Sequence, residues 1–463
     1  MDVHRLERFV EGRLRASGLP GAVVGLVRAD AEPWLLGIGL RDLARRLPAG
    51  PDTLYGWASL TKSFTAVAVL QLAERGRLAL DDPLARHLPV ELGRADQPVT
   101  LAHLLSHASG IPALGYAEHV IHATMADQPP VLRLHDAADV TAFARDAAAW
   151  ATDPPGTRWM YLNEGYVMLG RVVAAVSGLP YETYLRRHLL EPLRMTRTVF
   201  ERDRIVGDAD HASAYAVRPD GPAQPCGFPI EALGATGGLY GSARDLARWC
   251  RLLMRGGELD GVRLLSADGI DAMTTPRLPV AVRDAPYGPV RYGYGLRVQD
   301  DFLGRRLVEH SGAVGAFTSW FGWLPAERLG AVVLTNGSGH PTINLGTAVL
   351  AEALGVACDT LPPARRDALL ERLCGTYRSW QGAIEWQVRR SGDLLRVDTP
   401  GGFGGTRLLV PERLEADRCR FFQLDNGSRL DAEFRIDGRA IDLQLERYRL
   451  RRVDEPARPE PAG

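Results

Sequence analysis

Ser59 and Lys62 stand three residues apart at the start of a predicted helix, which puts a hydroxyl and an amine on one face about a turn from each other. The chemistry open to such a pair is acyl transfer. Burial under the helix lowers the lysine pKa, so a neutral amine can take the serine proton, and the helix N-terminus favours negative charge developing nearby. Ser-x-x-Lys is common by chance, and a capping serine followed by a surface lysine would read the same way. Composition separates the two readings. Of 55 lysines and arginines only Lys62 is lysine. Arginine cannot be deprotonated in a protein, so a chain this biased keeps lysine where arginine cannot substitute.

Two further groups could complete the site. Tyr161-Leu162-Asn163 follows the turn-rich DPPGT at Asp153 to Thr157. In extended backbone, residues two apart point the same way, so the phenol and the amide can face one pocket. A tyrosine beside a cation can shuttle protons to a leaving group or water, and the asparagine can hold a substrate carbonyl. His310-Ser311-Gly312 ends a strand-like run and precedes Ala313. Glycine there lets substrate approach the backbone, and the Ala313 N–H can join that of Ser59 as an oxyanion hole.

The elements that must position these groups follow from periodicity. Gly21 to Val27 and Trp34 to Leu40 read as a β-hairpin around a polar Arg28 to Pro33 turn. Ser59 to Arg75 carries Phe64, Val67, Ala68 and Leu72 at helical intervals and stops at Gly76. Further helices are predicted over Thr100 to Ser106, Val140 to Ala149, Glu164 to Ser177, Ser242 to Met254 and Thr342 to Leu354. Strands return at Leu307 to His310, Thr318 to Leu324 and Leu329 to Thr335. Sheet, then helices, then sheet predicts an α+β fold whose antiparallel sheet joins both ends of the segment. A boundary falls at LPPARR, Leu361 to Arg366, and the period beyond it is two. Ile384, Trp386 and Val388 alternate with polar residues, as do Ile441, Leu443 and Leu445, between turns at Ser391-Gly392, Asn426-Gly427 and Asp437-Gly438. The expected domains are 1–360, α+β and catalytic; 367–453, an all-β barrel or sandwich; and 454–463, a disordered tail.

The remaining features narrow the function. Across 463 residues the formal charge is -1, with 46% hydrophobic and 24% charged residues, so no global field recruits nucleic acid or an anionic membrane. No apolar run reaches the roughly 20 residues of a bilayer span. The opening MDVHRLERFV lacks the apolar stretch of a signal peptide, so the expected location is the cytoplasm. Five cysteines, odd in number and without a Cys-x-x-Cys pair, suit a reducing compartment without structural zinc. His103 and His107 have a helical spacing that could hold a metal, but no third ligand accompanies them, and no metal is expected. The glycine-rich Gly401 to Gly405 opens no helix, which argues against phosphate binding. No cofactor is expected.

Taken in order, the three groups resemble the penicillin-recognising serine hydrolases, whose Ser-x-x-Lys, Tyr-x-Asn and Lys-or-His-x-Gly elements line one cleft. The resemblance spans roughly residues 5 to 355. PDTLYGWASLTKSFTA, LALDDPL, HLLSHASGIP, PGTRWMYLNEGYVMLG and GGLYGSARDLARW look like segments of the class C β-lactamase-like branch. It implies a β-lactamase-like domain with an antiparallel sheet flanked by helices, plus an all-helical subdomain over about Pro83 to Gly237, with the cleft between them. It also implies roles: Ser59 attacks a carbonyl, Lys62 and Tyr161 share the proton work, Asn163 positions substrate, and His310 adds charge or hydrogen bonding. CGTY at Cys374 to Tyr377 and the strand-rich C-terminus look similar to the lipocalin-like barrels of some relatives, which can support homo-oligomers.

Histidine in the third element resembles D-aminopeptidases more than efficient β-lactamases, and Ala313 lacks a hydroxyl for a substrate carboxylate. The expected activity is that of a peptidase or amidase on small peptides, including those with D-residues. The alternatives are a carboxylesterase, a weak β-lactamase, a biosynthetic thioesterase, or a penicillin-binding sensor that acylates without turnover.

Overall fold

The computed structural model describes residues 1–93, 96–126, 132, 134–218, 221–228, 233–282, 285–338, 341–399 and 405–453. The expected tail at 454–463 and most of the Gly401 to Gly405 run lie outside them. The chain forms two compact units, Met1–Cys358 and Asp359–Gly463. Among the described residues no helix is long and apolar enough to cross a membrane.

The first unit is built on a nine-stranded antiparallel sheet. Its strands in chain order are β1 (Gly21–Arg28), β2 (Ala31–Asp42), β3 (Leu47–Pro48), β4 (Leu278–Pro279), β5 (Arg291–Tyr292), β6 (Arg297–Phe302), β7 (Arg305–Ala313), β8 (Thr318–Leu324) and β9 (Leu329–Thr335). Their spatial order is β4-β5-β6-β7-β8-β9-β1-β2-β3. The expected closure of the sheet by both ends of the segment is the β1–β9 pairing, with Val24 opposite Val333. β1 is buried from Gly21 to Val27 because helices cover both faces. Those that matter here are α1 (Val3–Ser17), α2 (Thr61–Glu74), α3 (Leu101–Leu105), α4 (Asn163–Ser177), α5 (Gly234–Gly237), α6 (Ala243–Met254) and α7 (Thr342–Ala353). Gly346 of α7 lies against the Trp320 ring, whereas Gly330 of β9 lies against Cys250 and Met254 of α6. Trp320 is paired with Val333, an odd number of residues from Gly330, so α6 and α7 occupy opposite faces.

Leu6, Val10 and Leu14 recur at helical spacing and are the buried stripe of α1, which Asp2 caps by accepting the Arg5 N–H. α2 is buried on every side from Thr61 to Leu72, which suits a core helix and not a surface one. The predicted Val140 to Ala149 helix is instead Ala137–Phe143, followed by a short 3₁₀ turn at Ala147–Trp150. Asp136 starts it early by accepting the Ala138 and Asp139 N–H groups, and Asp146, in the left-handed region at φ 65°, breaks the pattern.

The second unit opens with α8 (Pro362–Leu373) and continues as β10 (Gly375–Arg378), β11 (Glu385–Ser391), β12 (Leu394–Thr399), β13 (Gly405–Leu414), β14 (Arg418–Asp425), β15 (Ser428–Asp437), β16 (Ala440–Leu445) and β17 (Tyr448–Val453). These eight strands close into a barrel. The period of two is its inside and outside: Trp386, Val388, Ile441, Leu443 and Leu445 are buried within. Asn426 and Gly427 both take positive φ between Asp425 and Ser428, the two-residue hairpin their sequence predicts.

Candidate active site

The site is assembled where α2 begins. Trp57, Phe64 and Trp249 anchor that start in the core, Phe64 stacking on Trp249 at 3.7 Å between ring centroids. Ser59, expected to open the helix, lies instead in a 3₁₀ turn over Ala58–Leu60 that runs into α2 at Thr61. Ala58, buried and at φ 49°, holds a left-handed backbone that alanine seldom adopts, so the turn presenting Ser59 is strained. Ser59 itself is half-buried, and Lys62 is wholly buried.

Lys62 Nζ donates to Ser59 Oγ (3.0 Å), Asn163 Oδ1 (2.9 Å) and the Thr236 carbonyl (2.8 Å). Thr236 on α5 also donates its hydroxyl to Asn163 Oδ1 at 2.9 Å, which fixes the amide with its oxygen towards the lysine. The three partners are not equivalent. The two carbonyl oxygens can only accept, so an amine that has lost a proton keeps its N–H bonds on them and turns its lone pair to the Ser59 hydroxyl. Burial, and secondarily the charge of Arg297, holds the Lys62 pKa well below its ordinary value, towards that neutral form. Tyr161, half-buried, is pushed by desolvation up to about 12 although a hydrogen bond with Ser59 favours its phenolate, so it is a phenol at neutral pH. Lys62 Nζ sits 4.7 Å from the Tyr161 ring centroid.

The third group arrives on β7. β6 pairs with β7 no further than Arg297 opposite Glu309, while β8 follows β7 to Ala313 opposite Thr318. One edge of Ser311 to Ala313 is therefore open. The Val314 N–H donates to the Phe317 carbonyl on the β8 side, so by alternation the Ala313 N–H points to the open edge, as an oxyanion donor must. Gly312 has a different reason from the one expected. A Cβ there would lie 2.3 Å from the Trp57 carbonyl oxygen and 2.5 Å from Ser319 Oγ, so glycine lets β7 press against the turn that carries Ser59.

His310 is buried, with its Nδ1 2.7 Å from the Ser311 carbonyl oxygen and its Nε2 2.9 Å from the Tyr292 hydroxyl. The carbonyl takes the Nδ1 proton, leaving Nε2 to accept from Tyr292. Burial, followed by the charges of Arg297 and Lys62, holds the imidazole well below its usual pKa. Of the two roles open to His310, this ring fits hydrogen bonding and not charge.

Thus Ser59, Lys62, Tyr161 and Asn163 are brought together, and Ser311 to Ala313 form the adjoining edge. Sequence reasoning missed Thr236 and Arg297. Thr236 directly precedes the GGLYGS segment and could have been found with it. Arg297 is one arginine among many and carried no signal. Its Nη1 donates to Ser311 Oγ at 3.0 Å and stands 4.0 Å from buried Glu309, whose other oxygen accepts the Trp320 indole N–H at 2.9 Å. Of the paired histidines, His103 Nδ1 accepts the Thr100 N–H and His107 Nδ1 accepts the Leu162 N–H. Among the described residues no three His, Cys, Asp or Glu side chains gather as a metal would require.

Known proteins are similar to this chain in fold and sequence. The octameric penicillin-binding protein homologue from Pyrococcus abyssi superposes with a TM-score of 0.91 at 38% identity, covering 98% of this chain and 100% of that one. A D-stereospecific amidohydrolase from Streptomyces sp. gives a TM-score of 0.62 at 25% identity, over 77% of this chain and 100% of that one. In sequence, Protein flp from Staphylococcus aureus (strain MW2) is 27% identical over 337 residues, 72% of this chain and 62% of that protein, so the match spans less than two thirds of that relative. The uncharacterized protein MT1414 of Mycobacterium tuberculosis (strain CDC 1551 / Oshkosh) is 30% identical over 68% of this chain and 84% of its own length. The Pab87 octamerisation domain family matches residues 358–451, and the beta-lactamase family matches residues 6–354. With the match covering most of the chain and the serine, lysine and tyrosine brought together, this protein belongs to the beta-lactamase family.

Proposed function

We propose that the chain is a serine hydrolase that works through an acyl-Ser59 intermediate, acting as a peptidase or amidase on small peptides. The observation that carries this reading is the Lys62 amine held 3.0 Å from Ser59 Oγ with its other two partners restricted to accepting. Lys62 takes the Ser59 proton as Oγ attacks the substrate carbonyl, and the N–H groups of Ser59 and Ala313 receive the oxyanion. Tyr161, a phenol in the resting site, then gives its proton to the leaving group and is reprotonated from Lys62. Water enters by the reverse route and releases the acid. This assigns Lys62 as the first base, since a phenol held near 12 is a donor and not an acceptor at neutral pH.

Arg297 and Ser311 favour a substrate that carries a carboxylate near the scissile bond. Arg297 supplies a partly accessible cation where Ala313 supplies no hydroxyl, and the Ser311 hydroxyl keeps its own proton to donate. The D-stereospecific neighbour supports including D-residues among the candidates. The match of the second unit to an octamerisation family, together with the octameric homologue, supports a homo-oligomer, to be checked by native mass spectrometry.

A panel of chromogenic esters, D- and L-aminoacyl anilides and a cephalosporin, run on the wild type and Ser59→Ala, tests the mechanism. The serine variant is expected to lose at least about 10³-fold in kcat/KM on every active substrate. Activity that survives the substitution overturns the reading. Intact mass during turnover should show transient acylation, whereas a permanent adduct would mean a sensor.

A further inference from the structure

His107 closes the HLLSH run, His103 to His107. Its place in the fold is unusual in three ways. The residue is buried, 1% exposed, and sits in the left-handed region at φ 56°. Its two acceptors are both spent on the segment that carries Tyr161: the main-chain carbonyl accepts the Met160 N–H at 2.8 Å, and ring Nδ1 accepts the Leu162 N–H at 3.0 Å. The residues on either side of Tyr161 are thus gripped by one histidine. The imidazole also lies against the Tyr161 ring itself, with centroids 4.1 Å apart and planes inclined by 36°. Left-handed backbone is what allows a single residue to turn both its carbonyl and its side chain towards the same strand-like segment.

The turn is locked from behind as well. The Gly156 N–H donates to the Ala108 carbonyl at 2.7 Å and the Thr152 N–H donates to the Gly110 carbonyl at 2.9 Å, so His107 to Gly110 lies docked along residues 152–162. His107 forms the end of this seam nearest Ser59. Because Nδ1 must accept, the ring proton is on Nε2, for which no hydrogen-bond partner is found among the described residues, and the imidazole packs against the rings of Tyr166 and Tyr292 with centroids 5.0 and 4.9 Å away.

We infer that His107 is the positioning residue for Tyr161: by accepting the Leu162 N–H with Nδ1 and the Met160 N–H with its carbonyl, it sets where the phenol hydroxyl stands relative to Ser59 and Lys62. The inference rests on the proton-relay role of Tyr161 proposed above. Its action is indirect, through the placement of residues 160–162, and it predicts an effect on the chemical step and not on substrate binding.

The test compares acylation of the wild type and four variants by a D-aminoacyl p-nitroanilide, whose anilide nitrogen must be protonated to leave, followed by intact mass and by stopped-flow release of nitroaniline. His107→Gly keeps the backbone conformation and removes the ring acceptor. His107→Asn tolerates the left-handed backbone and places an amide oxygen at the Nδ1 position. Tyr161→Phe and the double variant His107→Gly/Tyr161→Phe complete the set. The glycine variant should acylate about 10²-fold more slowly at unchanged KM, the scale of a misplaced catalytic group, while asparagine restores the rate to within about threefold of the wild type. In the Tyr161→Phe background, His107→Gly should add nothing further, because the group it positions is gone.

Tyr161→Phe as fast as the wild type would remove the relay reading itself, and with it the role of His107. With Tyr161→Phe impaired, a wild-type rate in His107→Gly, or equal impairment in the glycine and asparagine variants, overturns the positioning role alone. Should His107→Gly fail to fold by near-ultraviolet circular dichroism, His107→Ala takes its place in the same comparison.

Discussion

Arginine does different work on the barrel and beside Ser59. On the barrel, arginines point outward and pair with carboxylates across or along strands: Arg449 and Arg451 with Asp442, Arg418 and Arg435 with Glu433, Arg429 with Glu412 and Asp431. These are solvated pairs, and each is worth little. In the catalytic unit Arg297 is partly withdrawn beside a buried carboxylate, and its charge reaches Lys62, Tyr161, His107 and His310. The same residue type that decorates one fold adds, behind burial, to the pKa shifts in the other. Low-dielectric surroundings make the difference, because a charge removed from water is felt by its neighbours with much less screening. Lysine marks the contrast most sharply, since the only one in the sequence is buried against the Ser59 hydroxyl.

The contrast can be broken at its strongest point with Lys62→Arg. Charge is kept, but a guanidinium cannot give up a proton to become a base, and kcat/KM is expected to fall by about 10³-fold with acyl-enzyme absent from intact-mass spectra. Near-normal turnover would mean that Lys62 is an electrostatic partner only. A smaller effect is expected at Arg297→Leu. Losing a charged hydrogen-bond donor should raise KM for carboxylate-bearing substrates by about 10- to 100-fold while sparing neutral ones. Arg297 also lowers the Lys62 pKa. Activity is lost as pH falls through that pKa, so removing the arginine raises it and moves the acid limb of the kcat/KM profile to higher pH. An unmoved limb would separate Arg297 from the proton chemistry.

On the barrel the effect should be slight. Hydrogen bonds from Arg451 and then Arg449 hold Asp442 down to about 2. A carboxylate depressed on folding stabilises above its unfolded pKa, near 4, and loses that contribution as pH falls towards about 2. Asp442→Asn should therefore cost less than about 1 kcal/mol at pH 7, and thermal melts of variant and wild type should converge at low pH. A difference that persists at pH 2 would show that Asp442 acts through something other than its charge.

Much of this was legible in the chain. The alternation around Trp386 and Leu443 marked the barrel faces, because side chains in a strand alternate and no tertiary information is needed to say which set is apolar. The same holds for Leu6, Val10 and Leu14 on α1. Ser59 and Lys62 were legible because their spacing is a property of one helical turn and because arginine had displaced every other lysine. Tyr161 and Asn163 were found as a short pattern, although the reason the amide faces the lysine, the Thr236 hydroxyl 73 residues further on, was not in that pattern.

What the sequence by itself determined is local: which turn carries Ser59, which faces are apolar, and which single residue can serve as an amine base. Only the tertiary structure decided the rest. It selected Arg297 from an abundance of arginines, ended β6 early so that the edge from Ser311 to Ala313 stays open, enclosed His310 as a neutral ring, and turned His107 from half of a metal pair into a clamp on residues 160–162. The physical reason is that spacing along a chain fixes neighbours only within a turn or a strand. Desolvation, and the charges that perturb a proton, depend on which distant segments close over the site.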